Sequence, residues 1–430
     1  MKLRKKQYLI CLVIGIVVCV AGCGLHKEEN RAFVSKEDSK IIINVLAGQS
    51  TSDAGIEDMI NEAMAEKFPE IELEWECVDW GENFSSQLQG KIASGDIPDL
   101  IVGKAQDVIP YAQSGAIEPI AIEGIEKIED TALRSVSTDG RVYGIPYNAL
   151  YQGVLYNKTI FEKYGLREPK TREELENNVA VLEQQGILPF ATHFQESWNI
   201  GNMTMQFMIG EVFQKEADWG ERFRAGDVSF ADNPVMKNCF EQNEFLLQHT
   251  FADALRIDQY ESDKRFAEGE AAMYLSGTWS LQAIDQYAKD NEGYHAEYGI
   301  FPYPNATGDA SLIKETNITF MMGKNSPYKE QVEQILEELL QNEALMQEIL
   351  DFTQTYPVVE GVELSYQSSI HEDVEKYEQE ENIVDATAGN GQLVWTYQNE
   401  LATQALKWLS GEQGLDKVLR YADENRKSSE

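Results

Sequence analysis

Hydrophobic and polar positions follow two different periods through the first part of the chain. Residues 40–47 form an apolar, β-branched run that predicts a buried strand, and Gly48 begins the polar segment that ends it. Across residues 56–68, apolar positions recur every three or four residues, which predicts a helix that ends near Pro69. Residues 71–78 alternate strictly between apolar residues and glutamates, apart from the last, so they predict a strand with one solvated face.

A further helix and strand continue this order and indicate a layered α/β arrangement. The pattern predicts a helix over residues 83–93, which Gly95 and Pro98 end, and a short apolar strand over residues 99–103. The order of strand, helix, strand, helix and strand predicts a parallel sheet flanked by helices. Ligands bind at the carboxyl ends of strands in such sheets, so polar and aromatic residues there become candidates. The candidates near these ends are Gln49, Trp80, Asn83 and Gln106.

The second half of the chain is richer in helices. Apolar residues at helical spacing, with few Pro or Gly, predict helices over residues 171–185, 330–350 and 393–409. A chain of 430 residues exceeds the usual limit of one hydrophobic core, so two domains are expected. Residues 150–156 are apolar and extended, which suits a hinge strand that runs from one domain to the other.

The N-terminus has the layout of a secretory signal peptide over residues 1–22. Basic residues at positions 2–6 precede an apolar run over residues 8–20, which is too short to span a bilayer comfortably. An aliphatic residue and two small residues then precede Cys23, and this order resembles a bacterial lipobox. The resemblance implies that Cys23 is lipidated and becomes the new N-terminus; an ordinary cleaved signal is the alternative. Residues 23–39 are polar and predict a flexible tether.

Acidic residues dominate the charge of the remaining chain and exclude one class of partner. The whole sequence has a formal net charge of −37, and residues 1–22 contain four basic residues and no acidic one, so the remainder carries −41. A surface this acidic repels phosphate backbones and anionic lipids, so we predict no nucleic-acid partner. Attachment to a membrane would therefore depend on the lipid alone.

Four segments carry motifs that are specific in their order and spacing. Residues 139–147 read D-G-R-V-Y-G-I-P-Y, and residues 155–175 contain Y-N-K, Y-G-L, P-K-T and E-L in turn. Residues 93–99 read A-S-G-D-I-P-D, and residues 266–279 read F-A-E-G-E-A-A-M-Y-L-S-G-T-W. Together these segments resemble the family 1 extracellular solute-binding proteins, the relatives of maltodextrin-binding protein. One departure is Arg172, which stands where that family more usually has a tryptophan.

This resemblance implies an α/β chain with a two-lobed, type II periplasmic-binding-protein-like fold. Each lobe would be a helix-flanked, mainly parallel sheet, and crossing segments would form a hinge between the lobes. The resemblance places an N-lobe at residues 40–148 plus 274–320 and a C-lobe at residues 149–273 plus 321–430. A solute would bind in the cleft between the lobes and favour the closed form by contacting both of them.

Cysteine usage gives no sign of a metal or redox site. Apart from Cys23, the processed chain keeps Cys77 and Cys239, and it contains no CxxC motif. On the expected fold these two cysteines lie in different lobes, where a disulfide would restrain the hinge, so we do not predict a bridge. We predict neither a metal nor a cofactor.

The resemblance implies a protein that captures a sugar or oligosaccharide and delivers it to the permease subunits of an ABC importer. We expect a monomer, since the lobes must move freely, held by the lipid on Cys23 at the outer face of the bacterial cell membrane. A ligand-binding module for a non-sugar solute or for a sensor kinase is one alternative.

A secreted glycoside hydrolase is the other alternative, although no catalytic activity is expected. Glycoside hydrolysis needs two carboxylates about 5 to 10 Å apart. The 73 acidic residues supply such a pair by chance, so their number decides nothing. The sequence lacks GxSxG, HExxH and phosphate-binding glycine motifs, which would have indicated other enzyme classes.

Aromatic and amide side chains are the predicted ligand contacts, because rings offer apolar faces to sugar C–H groups while polar neighbours fix the hydroxyls. Trp279 occupies a motif position that lines the family cleft, and Trp198 lies in a polar loop. For the tryptophans, packing within the core is the alternative. Tyr147 and Asn148 follow the Gly-Ile-Pro turn, and Tyr356 lies in a segment similar to a cleft loop of the family. The predicted contacts are Gln49, Trp80, Asn83, Gln106, Tyr147, Asn148, Trp198, Trp279, Tyr356 and Trp395.

Overall fold

The computed structural model describes residues 40–49, 55–80, 82–290, 295–365, 368–386 and 391–426, with the side chains of residues 82, 290 and 391–399 excepted. The predicted signal peptide, the tether and the lipidation of Cys23 lie outside this part of the chain. Among the helices that are described, none combines the length and the apolar character needed to cross a bilayer.

Strands and helices alternate along most of the described chain. The strands are β1 (Ile41–Gln49), β2 (Ile71–Asp79), β3 (Leu100–Lys104), β4 (Ser137–Thr138), β5 (Arg141–Val142), β6 (Ile145–Pro146), β7 (Asn148–Asn157), β8 (Leu188–Phe190), β9 (Ala271–Gly277), β10 (Tyr298–Phe301), β11 (Leu312–Thr316), β12 (Ile318–Met322), β13 (Tyr356–Pro357) and β14 (Ile383–Asp385). The helices are α1 (Ile56–Lys67), α2 (Glu82–Ser94), α3 (Ala105–Ser114), α4 (Asp130–Ser135), α5 (Lys158–Tyr164), α6 (Arg172–Gln184), α7 (Ser197–Met208), α8 (Trp219–Ala225), α9 (Pro234–Gln248), α10 (Gln259–Ala267), α11 (Leu281–Asp290), α12 (Lys329–Gln341), α13 (Glu343–Thr353), α14 (Ser369–Gln379), α15 (Gly391–Leu409) and α16 (Leu415–Glu424).

The first sheet has the strand order β2-β1-β3-β12-β6, and α1, α2, α3, α12 and α13 pack around it. β1 runs parallel to β2 and β3, whereas β12 runs antiparallel to β3 and β6. The predicted order of elements from β1 to β3 is confirmed, and the outward positions of β2 are exposed glutamates as the alternation predicted. We call the unit built on this sheet, residues 40–146 and 318–353, the first lobe.

The second sheet has the order β14-β11-β7-β9-β8, with β10 and β13 also pairing with β7. All ten residues of β7 are buried, and this strand is the centre of the second sheet. β7 runs antiparallel to β9, β10, β11 and β13, so this sheet differs from the mainly parallel one expected. The reason is that β7 enters directly from the first lobe and runs away from it, while β9 and β11 run back. The second lobe comprises residues 149–316 and 356–426.

Within the described residues, three short segments connect the lobes, at residues 147–148, 317 and 354–355. Asn148 joins all three. Its side-chain amide donates to Thr355 Oγ1 at 3.0 Å, its Oδ1 accepts from the backbone N–H of Ile318 at 2.8 Å, and its carbonyl accepts from the N–H of Asn317 at 2.9 Å. One buried side chain therefore fixes the spacing of the crossing segments.

The lobe boundaries differ from the prediction in two places. Of residues 274–320, only those from Ile318 onward join the first sheet, and the end of β9, β10 and β11 all belong to the second. Residues 321–353 were expected in the C-lobe, but β12 and the two helices after it pack in the first lobe. Since β9 and β10 are buried on both faces, no alternation of polar residues indicates which sheet they join. Residues 150–156 are the centre of a sheet and not a hinge strand.

One predicted helix is divided. Residues 330–350 form α12 and α13, which are separated at Asn342. The side chain of Asn342 accepts a hydrogen bond from the N–H of Leu345 at 3.1 Å and so caps the second helix. An asparagine satisfies the free N–H groups of a helix start better than it suits a helix interior, which explains the break. The helices predicted at residues 171–185 and 393–409 are confirmed to within two residues.

Candidate functional site

In the first lobe, Trp80 covers the carboxyl end of β1. A Cβ atom added to Gly48 would lie 2.0 Å from the Trp80 ring, so only glycine lets the ring approach this closely. Phe84 packs against the ring edge-on at 5.4 Å between centroids, and the Nζ of Lys104 lies 5.2 Å from the ring centroid. Trp80 is half-buried, so part of its ring remains available to a ligand.

In the second lobe, Trp279 covers the carboxyl end of β9 in the same manner. It lies in a single 3₁₀ turn, Thr278–Ser280, directly after the strand. A Cβ atom added to Gly277 would lie 2.1 Å from its ring. Trp279 is also half-buried, and its Nε1 is a buried donor without a hydrogen-bond partner. Trp279 therefore offers a ligand both an aromatic surface and an unpaired hydrogen-bond donor, as its predicted role requires.

Buried polar side chains form a hydrogen-bonded network next to the turn that carries Trp279. Ser276 and Ser280, on either side of it, lie 3.0 Å apart through their Oγ atoms. Gln259 Nε2 contacts Ser280 Oγ at 3.4 Å and donates to Asp263 Oδ2 at 3.3 Å. Asp263 is wholly buried, and burial raises the pKa of its carboxyl group to about 8.

Trp198 begins the neighbouring helix α7 and is half-buried. Its ring packs edge-on against His193 at 5.6 Å between centroids. Burial lowers the pKa of His193 to about 3, so this imidazole is neutral at physiological pH. His193 Nδ1 lies 3.3 Å from the hydroxyl of Tyr274 on β9, which connects the surroundings of Trp198 to those of Trp279.

The polar candidates of the first lobe occupy different environments. Gln49 ends β1, and its Nε2 donates to Glu57 Oε2 at 2.7 Å. Gln106 is half-buried in the first turn of α3, next to Asp107, whose pKa burial raises to about 6. Asn83 is exposed in the first turn of α2. The backbone N–H of Trp80 donates to the backbone carbonyl of Gln49 at 3.3 Å, so these two residues are adjacent.

An acidic group that the sequence analysis missed lies two residues before the crossing segment at residue 317. Glu315 of β11 is 7 % exposed, and its carboxylate accepts a hydrogen bond from Gln152 of β7. Burial raises the pKa of Glu315, while the charge of Lys104 across the crossing and the Gln152 amide counteract the rise. A partial signal was present in the sequence, because Gln152 is a polar residue at the centre of a mainly apolar run.

Three of the predicted contacts are enclosed in the protein. Tyr147 is buried against Phe320, with 5.3 Å between ring centroids, and its hydroxyl lines a small, largely apolar pocket without a hydrogen-bond partner. The Asn148 amide is occupied by the crossing segments, as described above. Tyr356 is buried, and its ring contacts Tyr151 at 4.7 Å. These three assignments stay predictions, and we do not include them in the contacts proposed below.

Trp395 and the two cysteines are the remaining residues that the sequence analysis singled out. The backbone of Trp395 belongs to α15, but its side chain lies outside the described residues. Both described cysteines are free: Cys77 is exposed on β2, and Cys239 is buried in α9. Where side chains are described, no cluster of three or more His, Cys, Asp or Glu residues is arranged to hold a metal ion.

The relatives found by comparison with known proteins include several that are named as binding proteins. The chain is 23% identical over 372 residues to a multiple sugar-binding protein of Streptococcus mutans, covering 84% of each chain. It is 28% identical over 263 residues to an uncharacterised ABC transporter extracellular-binding protein of Pyrococcus horikoshii, covering 59% of this chain and 58% of that one.

Solved structures share the fold at low sequence identity. A sugar transporter of Bacillus licheniformis in complex with stachyose superposes with a TM-score of 0.75 at 14% identity, covering 90% of this chain and 100% of that one. A chitin oligosaccharide binding protein gives a TM-score of 0.74 at 20% identity, covering 90% and 98%. This likeness confirms the two-lobed, type II periplasmic-binding-protein-like fold.

The family assignment rests on a sequence profile that covers most of the chain. The profile of the bacterial extracellular solute-binding proteins matches residues 47–346, which include all four motif segments and both Trp–Gly pairs. The chain therefore belongs to the bacterial extracellular solute-binding protein family.

Proposed function

We propose that this chain captures a sugar or oligosaccharide between its lobes and delivers it, unaltered, to an ABC importer. The observation that carries the proposal is the pair Trp80 and Trp279, one from each lobe, each lying over a glycine at the end of a strand. Sugar rings expose C–H groups on one or both faces, and a half-buried indole is well suited to cover such a face. Two indoles on opposite walls would hold a sugar only when the lobes close.

A series of contacts connects the surroundings of the two tryptophans. Lys104 lies beside the Trp80 ring, and its charge acts on Glu315 of the second lobe. Glu315 is bonded to Gln152, and Gln152 pairs with Gly277 beneath Trp279. This chain of contacts leads from one indole to the other across the base of the cleft. Its carboxylate, amide and ammonium groups can accept and donate the hydrogen bonds that sugar hydroxyls require.

Relatives support the same class of solute. The S. mutans relative is named for binding multiple sugars, and the B. licheniformis structure contains stachyose. The P. horikoshii relative is named as the extracellular-binding protein of an ABC transporter. We extend the sugar, the importer and the extracytoplasmic location to this chain on that basis.

A thermal-shift screen tests the proposal directly. Residues 24–430, without the lipid, are heated with mono- and oligosaccharides, amino acids and polyamines. A ligand that binds only the native state raises the melting temperature by mass action, so we expect a saturable rise with one class of sugar. The sugar should be recovered chemically intact. A rise with amino acids or polyamines alone would reject a sugar as the solute, and cleaved sugar would reject pure binding.

The anchor and the partner need separate experiments in cells. We propose that Cys23 carries the lipid, so palmitate labelling should be lost in Cys23→Ser while the protein is still secreted. We also propose that the chain acts as a monomer on a permease and not on a sensor kinase. Deleting the gene should then abolish uptake of the labelled sugar; normal uptake with lost transcriptional induction would favour the kinase.

A further inference from the structure

Asp263 of α10 is a buried carboxyl group with few partners. It is 0 % exposed, its Oδ1 has no hydrogen-bond partner, and its Oδ2 accepts one hydrogen bond from Gln259 at 3.3 Å. Among the described ion pairs none includes Asp263, and Arg265 on the same helix is bonded to Asp253 and Glu261. A buried carboxylate without a cation is costly, so such a group stays protonated.

Hydrogen-bond contacts connect Asp263 to the 3₁₀ turn that carries Trp279. Gln259 Nε2 lies between the Asp263 carboxyl group and Ser280 Oγ, at 3.3 Å and 3.4 Å respectively. Ser280 contacts Ser276 at 3.0 Å, and these two serines flank the residues that carry the indole. A change in charge at Asp263 therefore acts on the base of Trp279.

The same network reaches Trp198 by a second route. The backbone N–H of Gln259, the first residue of α10, donates to Glu196 Oε2 at 2.8 Å. Glu196 Oε2 lies 3.4 Å from His193 Nε2, and the ring of His193 supports Trp198. Because His193 is neutral, this contact is not an ion pair at physiological pH. The start of α10 thus joins the supports of Trp279 and Trp198.

We propose that Asp263 is a positioning residue, whose neutral carboxyl group holds Trp279 and Trp198 as one rigid aromatic wall for the bound sugar. This inference rests on the sugar-binding function proposed above. In its neutral form the carboxyl group can both donate and accept a hydrogen bond, whereas the ionised form can only accept. Ionisation would therefore add a negative charge beside Glu196 and next to the Gln259 amide that contacts Ser280.

The groups that face Asp263 favour this neutral state near physiological pH. Burial is the largest influence and raises the pKa of Asp263 to about 8, and Glu196 raises it further, while the hydroxyl groups of Ser280 and Tyr274 and the Gln259 amide counteract the rise. The facing element β9 contributes only the phenol of Tyr274, and α11 contributes that of Tyr287. Lys264 on α10 and Lys289 on α11 are exposed. The described surroundings therefore offer no cation that would stabilise the ionised form.

The first test is the pH dependence of sugar affinity, measured by calorimetry with the sugar that the thermal screen identifies. In the wild type we expect the affinity to fall at least fivefold from pH 6.5 to pH 9.5. Asp263→Asn keeps a neutral, donating group, so its affinity at pH 6.5 should stay within twofold of wild type and remain flat with pH. The control is Glu270→Gln, an exposed acid near the end of the same helix, which should keep the wild-type profile.

The second test needs no sugar and so separates this inference from the proposed function. The chain is labelled with 5-fluorotryptophan, and the ¹⁹F resonances of Trp279, Trp198 and Trp80 are assigned with single Trp→Phe variants. In the wild type, the Trp279 and Trp198 resonances should shift with a common midpoint near pH 8, and the Trp80 resonance should not. Both shifts should vanish in Asp263→Asn.

The outcomes are distinct. If no sugar binds but the two resonances move together, the proposed function fails while the coupling stands. If a sugar binds and the resonances do not move, or move equally in Asp263→Asn, Asp263 is not a positioning residue. An Asp263→Asn variant that folds normally but loses sugar affinity at pH 6.5 would also overturn the inference.

Discussion

The two lobes present a tryptophan in the same way but support it by different means. Both Trp80 and Trp279 lie over a glycine at the end of a strand. Behind Trp80 are the ring of Phe84 and the ammonium group of Lys104, whereas behind Trp279 are serine hydroxyls and the neutral carboxyl group of Asp263. Because burial raises the pKa of Asp263 to about 8, the support of Trp279 changes its charge above neutral pH.

The two walls of the proposed cleft therefore depend on different parts of the sequence. The first-lobe wall is a fixed surface, built on a strand order that the local sequence determines. The second-lobe wall depends on groups that are distant in sequence, from Glu196 to Ser280, and on the protonation of one of them. The four changes that follow compare the walls, beginning with the change that should have the largest effect.

Stability against pH should separate Asp263→Asn from wild type most clearly. The folded pKa is raised to about 8, above the unfolded value, so the stabilisation from the protonated group is complete below the unfolded pKa near 4 and is lost as pH rises to 8. The free energy of unfolding of wild type, relative to Asp263→Asn, should therefore fall by on the order of a few kcal/mol over that window. Urea unfolding at several pH values measures it, and a constant difference would contradict the prediction.

Truncation of each indole should weaken sugar binding. We expect Trp80→Ala and Trp279→Ala each to cost about 1–3 kcal/mol of binding free energy, because each loses a face that covers the sugar. Titration calorimetry at pH 6.5 measures the loss. Trp408→Ala is a matched control, since Trp408 is half-buried near the end of α15 and packs against the hydrophobic core. An unchanged affinity in a folded Trp279→Ala would remove that residue from the site.

Adding a methyl group beneath each indole is a milder change. In Gly48→Ala and Gly277→Ala the new Cβ would lie about 2 Å from the ring, so the indole must move. Gly277 has an extended backbone with φ −152°, so the substitution adds no backbone strain there. We expect each variant to lose about 1 kcal/mol of sugar affinity. Equal affinity in Gly277→Ala, with its Trp279 ¹⁹F resonance displaced, would show that the position of the ring is unimportant.

Removing the cation of the first wall should have the smallest effect. Lys104→Met takes away the ammonium group near the Trp80 ring, and partly exposed contacts of this kind contribute only about 0.5–1 kcal/mol. Because Lys104 also counteracts the raised pKa of Glu315, that pKa should rise further in the variant. Affinity measured from pH 5 to pH 7 should then depend on pH more than in wild type. A loss larger than that of Trp80→Ala would mean that Lys104 contacts the sugar itself.

The sequence analysis succeeded where local patterns determine the structure. The order from β1 to β3 was predicted because each element carries its own period, and the motif that ends in Gly277-Thr278-Trp279 indicated the second indole. Assignment of β9 and β10 to a lobe failed because strands buried on both faces have no polar face to orient them. Asn148 was predicted at the ligand, but its position among three crossing segments depends on Thr355, more than 200 residues away.

Asp263 shows why part of the site was beyond a single sequence. It lies in a helix of nine residues with charged neighbours, and the sequence gives no sign that it faces inward while Lys264 and Arg265 do not. Only the packing of α10 against β9 and α11 buries its carboxyl group. Gln152, the partner of Glu315, was more accessible to prediction, because a polar side chain at the centre of a mainly apolar strand needs a partner.

The crossing segments that Asn148 joins also set an order of events for folding. The first sheet needs β12 between β3 and β6, so it cannot be completed before residue 322 is present, and the hinge also needs Thr355. Contacts this distant in sequence slow folding, and a fragment ending at residue 316 should show no cooperative unfolding transition in urea. The hinge contacts therefore form only after most of the chain has been synthesised. Late formation of the native state suits the export that the predicted signal peptide implies.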